Sequence, residues 1–104
     1  MDSALALQLR DGLALIDREL EAVEAALTAL ARTHRNTPMP GRTHLQHALP
    51  ITFGYKCATW LAPVRRHRQR LAELRPRATV GQFSGAAGTL ASLGDRGLEV
   101  QAAL

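Results

Sequence analysis

Apolar side chains recur at alternating intervals of four and three residues along the first third of the chain, which places them on one face of a helix. Charged residues fall mostly on the opposite face, and no proline precedes Pro38. We therefore predict a helix over residues 3–34, about 45 Å long. The apolar stripe consists of Leu9, Leu13, Ile16, Leu20, Val23, Leu27 and Leu30.

A second set of apolar residues at helical spacing predicts a helix over residues 51–74. Pro63 removes one backbone donor from it, so we expect a kink near Thr59. Pro76 is expected to end this helix. Its apolar positions are Phe53, Cys57, Trp60, Leu61, Val64, Leu71 and Leu74.

The remaining segments lack helical periodicity. Prolines and polar residues crowd together over residues 36–50, which predicts a structured loop and not a flexible linker. Over residues 77–92 we expect a short strand, at Ala78–Phe83, and then a tight turn of small residues, Ser84–Thr89. A third helix is expected to start near residue 95.

These lengths fit poorly into one compact globule. A compact chain of 104 residues has a radius of gyration of about 13 Å, whereas the first helix alone measures about 45 Å. A hairpin of two such helices leaves apolar flanks uncovered. We therefore expect an all-α hairpin of long helices that is either a fragment of a larger helical protein or a subunit of an oligomer.

Composition excludes several classes of protein. Aromatic residues make up only 4% of the chain, which disfavours a β-sandwich or barrel. The single cysteine, Cys57, excludes an intrachain disulfide and a cysteine-based zinc cluster. No apolar run approaches the ~20 residues of a membrane span, and the first residues lack the apolar core of an export signal. We therefore expect a cytoplasmic protein with no membrane partner.

The formal net charge of +4 is compatible with nucleic acid, an anionic surface or a small polyanionic substrate. The basic run Arg65–Arg77 contains no interleaved aromatic residues that could stack on bases. We interpret it as a solvated helical face, and we expect no nucleic-acid partner.

The richest polar cluster lies in the predicted loop. His44 can exchange a proton near neutral pH, and the Thr43 hydroxyl and Gln46 amide can hold a carboxylate. This cluster predicts a binding site for an acid, although the same polar groups could instead cap helices and satisfy the loop's own backbone. Because no carboxylate accompanies His44 and His47 in the loop, we predict no metal site there.

Residues 37–54 resemble a signature region of the fumarase/aspartase superfamily. The matching stretch is Thr37-Pro-Met-Pro-Gly-Arg-Thr-His-Leu-Gln-His-Ala-Leu-Pro-Ile-Thr-Phe-Gly54, with Lys56, Trp60 and Arg66–Leu71 after it. The stretches 73–77 and 82–94 are most similar to the 3-carboxy-cis,cis-muconate cycloisomerase branch, whereas the Thr-His pair at 43–44 resembles adenylosuccinate lyases.

The resemblance implies chemistry that the spacing alone does not. It assigns His44 to acid–base work and Thr43 and Gln46 to substrate contact, with Gln82, Ser84 and Thr89 as further candidates for the lining of the site. Such enzymes remove a proton beside a carboxylate, stabilise the resulting enediolate by hydrogen bonds, and need no cofactor. Their substrates are small polycarboxylates.

The resemblance also implies a homotetramer built on a helical bundle, with each active site assembled from several subunits. The family's serine-rich loop and its first signature have no counterpart in these 104 residues. We therefore predict a fragment of the central bundle that is inactive alone. Two alternatives remain: an adenylosuccinate-lyase-like C–N lyase, and a non-catalytic helical oligomerisation module.

Overall fold

The computed structural model describes residues 2–103 and consists of two long helices joined by a β-hairpin. Its extents are 72 × 27 × 16 Å and its radius of gyration is 23.2 Å, well above the ~13 Å of a compact chain of this length. The predicted hairpin of long helices is confirmed. In chain order the elements are α1 (Asp2–Thr33), β1 (Pro38–Thr43), β2 (Gln46–Thr52), α2 (Phe53–Ala78), a 3-10 helix (Ala91–Arg96) and α3 (Gly97–Ala102).

The apolar stripe of α1 divides into two rows. Leu13, Leu20 and Leu27, seven residues apart, are half-buried. The alternate row stays open to solvent, which follows because α2 is the only long helix of residues 2–103 that packs on α1. The exposed fractions in this row are 42% for Leu9, 50% for Ile16, 45% for Val23 and 38% for Leu30.

The core is correspondingly small. Among the described residues, the buried apolar side chains are Ala6 on α1 and Cys57 and Leu61 on α2. Cys57 is 0% exposed, as expected for a small apolar residue facing a neighbouring helix.

Gly54 of α2 lies in close contact with the C-terminal end of α1 and the residues that follow it. Its N–H donates to the carbonyl of His34 at 2.9 Å, and the neighbouring Phe53 N–H donates to Thr37 O at 2.9 Å. A Cβ at position 54 would lie 2.6 Å from Ala31 O, so only glycine allows this approach. The His34 ring packs edge-on against Phe53, with 5.1 Å between centroids, and closes the junction.

Part of the basic run of α2 forms ion pairs with α1 and is not simply a solvated face. Arg68 Nη1 donates to Glu24 Oε2 at 2.9 Å, and Arg68 Nε donates to Asp17 Oδ1 at 3.1 Å. Arg65 Nε donates to the other oxygen of Glu24, also at 2.9 Å. These contacts hold the middle of α2 against α1.

The structured loop predicted over residues 36–50 is in fact the antiparallel hairpin of β1 and β2. Prolines argued against strands, but Pro40 lies directly opposite Pro50. Because neither residue has an N–H, this pair fits a ladder position that needs no hydrogen bond between the two residues. A bulge between Pro40 and Arg42 follows, where a Cβ on Gly41 would lie 2.7 Å from Leu49 O.

The second helix was predicted to end at Pro76, but α2 continues to Ala78. Thr79 caps this last turn. Its N–H and its hydroxyl both donate to the carbonyl of Arg75, at 3.1 and 2.8 Å. The turn therefore closes although Pro76 lacks a donor.

The short strand predicted at Ala78–Phe83 is absent from the described residues. The backbone of Gln82 instead forms two hydrogen bonds with the hydroxyl of Ser3 on α1. Gln82 N donates to Ser3 Oγ at 2.9 Å, and Ser3 Oγ donates to Gln82 O at 2.7 Å. Because a side chain supplies both bonds, no partner strand is required. The third helical segment, expected from residue 95, begins as the 3-10 helix Ala91–Arg96 and continues as α3.

Candidate functional site

The predicted acid–base cluster lies at the tip of the β-hairpin. Thr43 ends β1 and pairs directly with Gln46, which begins β2, so the two side chains lie on the same face. His44 and Leu45 form the two-residue turn between them, with φ of 48° and 61°. All four residues are exposed, so the tip presents a hydroxyl, an imidazole and an amide to solvent.

The two central residues of the turn, His44 and Leu45, have left-handed backbone conformations because the turn joins two antiparallel strands. A two-residue turn matches the twist of its strands when both central residues have positive φ, a conformation that favours Asn-Gly over His-Leu. His44 and Leu45 therefore hold backbone strain at the tip, and such strain is common at ligand sites.

The other predicted site residues lie beyond the far end of α2. Gln82 is fixed through its backbone to Ser3, in the first turn of α1. Ser84 O accepts the N–H of Leu90 at 2.9 Å, which closes the loop that carries Thr89. Gly85 and Gly88 supply the positive φ, 74° and 81°, that this loop needs.

The chain does not bring these two groups together. The hairpin follows the C-terminal end of α1, whereas Gln82 contacts its N-terminal end. A helix of 32 residues separates the two ends by about 48 Å. Thr43, His44 and Gln46 therefore form one group, and Gln82, Ser84 and Thr89 form another.

The net positive charge is concentrated at one end of the molecule. Residues 25–64, which include the hairpin, contain four of the 13 lysines and arginines and none of the 9 carboxylates. The rest of the chain is balanced, so the entire net charge of +4 belongs to the hairpin end. The four cations are Arg32, Arg35, Arg42 and Lys56.

One pair of side chains beside the hairpin has a role that the sequence pattern left unassigned. Lys56 Nζ lies 5.1 Å from the centroid of the Trp60 ring, a cation–π contact on the first turns of α2. The sequence does contain a signal for this contact, because residues four apart on a helix lie on the same face and Lys56 and Trp60 have this spacing in a predicted helix.

Electrostatics perturb ionisation in the middle of the helix pair, away from both groups of candidate residues. Hydrogen bonds from Arg68 and then Arg65 lower the pKa of Glu24 below its ordinary value. Conversely, the hydrogen bonds to Glu24 and then Asp17 raise the pKa of Arg68. Glu24 is thus held in its charged form as a structural contact between the helices.

Over residues 2–103, no helix combines the length and apolar character that crossing a membrane requires.

Comparison with known proteins identifies the family. The model of a family described as lyase matches residues 1–103. The chain is 55% identical over its whole length to a 3-carboxy-cis,cis-muconate cycloisomerase of Pseudomonas aeruginosa, of which it covers 23%. It is 43% identical, over 97% of its length, to an adenylosuccinate lyase of Pyrococcus abyssi, of which it covers 22%.

A solved structure supports the same assignment. The fumarate lyase from Mesorhizobium sp. BNC1 superposes with a TM-score of 0.86 at 67% identity, covering 98% of this chain and 24% of that one. The chain thus spans about a quarter of the length of these relatives. On the family match and these likenesses, the chain belongs to the fumarase/aspartase-type lyase family.

Proposed function

We propose that this chain is a segment of an enzyme that closes or opens a lactone on 3-carboxy-cis,cis-muconate by proton abstraction next to a carboxylate. The 55% identity to the Pseudomonas aeruginosa cycloisomerase supports this choice of substrate. In this proposal His44 carries the proton, and Thr43 and Gln46 donate hydrogen bonds to a substrate carboxylate.

The absence of carboxylates from residues 25–64 is the observation that carries the proposal. A tricarboxylate approaching Thr43, His44 and Gln46 meets no negative side chain from this end of the chain, while four cations attract it. Donors aimed at a substrate carboxylate also stabilise the negative charge that develops there when the neighbouring carbon loses its proton.

The second group, Gln82, Ser84 and Thr89, contributes to the site from another copy in this proposal. One chain holds the two groups about 48 Å apart. A homotetramer can bring the hairpin end of one copy close to the opposite end of another. The exposed row Leu9, Ile16, Val23 and Leu30 supplies an apolar surface for such packing.

The test is turnover by the longer enzyme that contains this segment, with 3-carboxy-cis,cis-muconate and adenylosuccinate assayed in parallel. We expect lactone chemistry on the muconate, a loss of about 100-fold or more in kcat for His44→Ala, and little change in melting temperature. The matched control is His47→Ala, which removes a second hairpin imidazole. Equal losses of activity and stability in His44→Ala would contradict the assigned role.

An adenylosuccinate-lyase-like reaction is the second candidate. The adjacent Thr43 and His44, a pair that resembles adenylosuccinate lyases, and the 43% identity to the Pyrococcus abyssi lyase favour it. Cleavage of adenylosuccinate without turnover of the muconate would select this candidate over the first.

A non-catalytic oligomerisation module is the candidate from another class. The half-open apolar stripe of α1 favours it, because that surface can drive assembly without chemistry. A helical oligomer that turns over neither substrate would support this reading. For the isolated 104-residue chain we expect no turnover, since the family's serine-rich loop has no counterpart in it.

A further inference from the structure

Two basic side chains, Arg42 and Lys56, lie beside the hairpin, where β1 and β2 face the first turns of α2. A cavity of about 240 Å³ opens there, and Met39, Arg42, Tyr55, Lys56 and Trp60 are among the residues that line it. Thr43, His44 and Gln46 are not among them. The proposed acid–base cluster therefore leaves this cavity unexplained.

The cavity has two cations and no acid. No carboxylate of residues 2–103 lies within 4.0 Å of Arg42 or Lys56, and none of the cavity's lining residues is acidic. The first turn of α2 contains no acidic residue either, so its N-terminal partial positive charge adds to the two side chains. A lysine and an arginine that line one cavity with no carboxylate within 4.0 Å leave an anion as the complementary occupant.

Lys56 contacts the ring of Trp60, and it can exchange this contact for one with an anion. Its ammonium lies over the ring of Trp60, which is 51% exposed, at 5.1 Å from the centroid. A partly exposed cation–π contact contributes only ~0.5–1 kcal/mol, and a charge-assisted hydrogen bond to an anion is stronger. An arriving anion can therefore draw the ammonium away from the ring.

We propose that the cavity between the hairpin and α2 binds a small carboxylate, held by Arg42 and Lys56 and packed against Trp60. Arg42 offers the planar fork that matches a carboxylate, and Lys56 offers a point charge. The aromatic wall formed by Tyr55 and Trp60 accommodates the carbon skeleton of the ligand. A volume of about 240 Å³ suits a molecule of a few carbons with one or two carboxylate groups.

The ligand would bind without being transformed, so the proposal does not depend on the substrate or the reaction proposed above. Its test is a titration of the purified 104-residue chain with sodium succinate at constant ionic strength, followed by the fluorescence of Trp60, the single tryptophan of the chain. We expect a saturable change in intensity as the Lys56 ammonium leaves the ring.

Four variants test the assignment. Lys56→Gln and Arg42→Gln should each weaken succinate binding by about tenfold, the loss expected for one charge-assisted contact. Arg66→Gln, which removes an equal charge elsewhere on α2, should leave binding unchanged. His44→Ala should also leave binding unchanged, which separates this cavity from the proposed acid–base cluster.

The uncharged diamide succinamide is the ligand control and should produce no saturable change. Two results would overturn the proposal: no saturable change with succinate, or equal weakening by Lys56→Gln and Arg66→Gln. Unchanged lyase activity of the longer enzyme in His44→Ala, together with saturable succinate binding, would contradict the proposed function and leave this inference standing by itself.

Discussion

Arg68 Nη1 on α2 lies 2.9 Å from Glu24 Oε2 on α1, joining two residues that are 44 positions apart in the sequence. The same guanidinium donates to Asp17 at 3.1 Å, and Arg65 donates to the second oxygen of Glu24. A carboxylate bonded at both oxygens is a geometrically defined contact, unlike the ion pairs between sequence neighbours on α1.

Glu24→Gln should therefore lower the melting temperature, because Arg65 loses its charged acceptor and Arg68 keeps only its contacts with Asp17 and Glu21. The control is Glu19→Gln. Among residues 2–103, Glu19 forms an ion pair only with its exposed neighbour Arg18, at 3.5 Å, and both belong to the same helix. Thermal unfolding followed by circular dichroism measures the two shifts, and a drop in Glu19→Gln as large as that in Glu24→Gln would contradict the assignment.

The lowered pKa of Glu24 predicts a pH dependence of stability. A carboxyl whose pKa is lower in the folded than in the unfolded state stabilises the fold above its unfolded pKa. That contribution is lost as the pH falls through the folded value. Between neutral pH and ~pH 3, the wild type should therefore lose more melting temperature than Glu24→Gln. Parallel curves for the two proteins would show that Glu24 contributes nothing to the acid response.

Gly54→Ala should destabilise the helix pair by about 1–3 kcal/mol, the usual cost of overpacking. The new Cβ would lie 2.6 Å from Ala31 O and 2.7 Å from His34 O, and backbone atoms cannot move aside cheaply. Denaturant titration measures the loss. The matched control is Gly12→Ala, where no atom of the described residues 2–103, apart from the two chain neighbours and the backbone of α1 itself, lies within 4 Å of the new Cβ. It should stabilise α1 by about 0.5–1 kcal/mol.

Leu45→Gly should stabilise the hairpin by about 0.5–1 kcal/mol. Its φ of 61° is costly for a branched side chain, and the side chain is 100% exposed, so little packing is lost. Leu49→Gly, at an exposed position of extended β2, should weaken the hairpin instead. Amide hydrogen exchange over residues 38–52 reports the difference, and faster exchange in Leu45→Gly would argue against strain at the turn.

Val23→Asp should disrupt assembly without unfolding the helix pair, because Val23 is 45% exposed in the open row of α1. Leu20→Asp, expected from the apolar stripe to block assembly, should also cost helix content, since Leu20 is half-buried. Light scattering measures the association state and circular dichroism the helicity. An unchanged oligomer in Val23→Asp would exclude this row from the interface.

The long helices were predictable because their apolar residues repeat with the helical period over many turns. The excess length of α1 was predictable as well, and with it the uncovered apolar flank. The sequence could not indicate which half of the stripe α2 covers. Leu20 and Val23 are both apolar and both fit the helical period, so the pattern does not distinguish them. That choice depends on the register fixed at Gly54 and Arg68.

The hairpin was missed because its strands contain prolines and a turn without glycine at its centre. Local preferences argue against a strand at Pro40 and against positive φ at Leu45, yet the backbone adopts both. The reverse error occurred near Gln82, where strand-forming residues find no partner strand because Ser3 satisfies the backbone. In both places the backbone departs from what the local residues favour.

The candidate site residues were selected by their chemistry and by resemblance, and for these the sequence gives no distances. The pairing of Thr43 with Gln46 makes their association local, because a two-residue turn joins them. The separation of His44 from Gln82 is set by the length of α1, which a linear motif does not contain.

The uneven distribution of charge constrains how two copies of the molecule can lie side by side. Parallel alignment sets two hairpin ends, each with four cations and no carboxylate over residues 25–64, next to each other, and like charges repel. Antiparallel alignment instead places each hairpin end against the electrically balanced end of its neighbour. For a proposed assembly of copies, this repulsion favours the orientation in which His44 of one copy and the Gln82 segment of another lie at the same end of the pair.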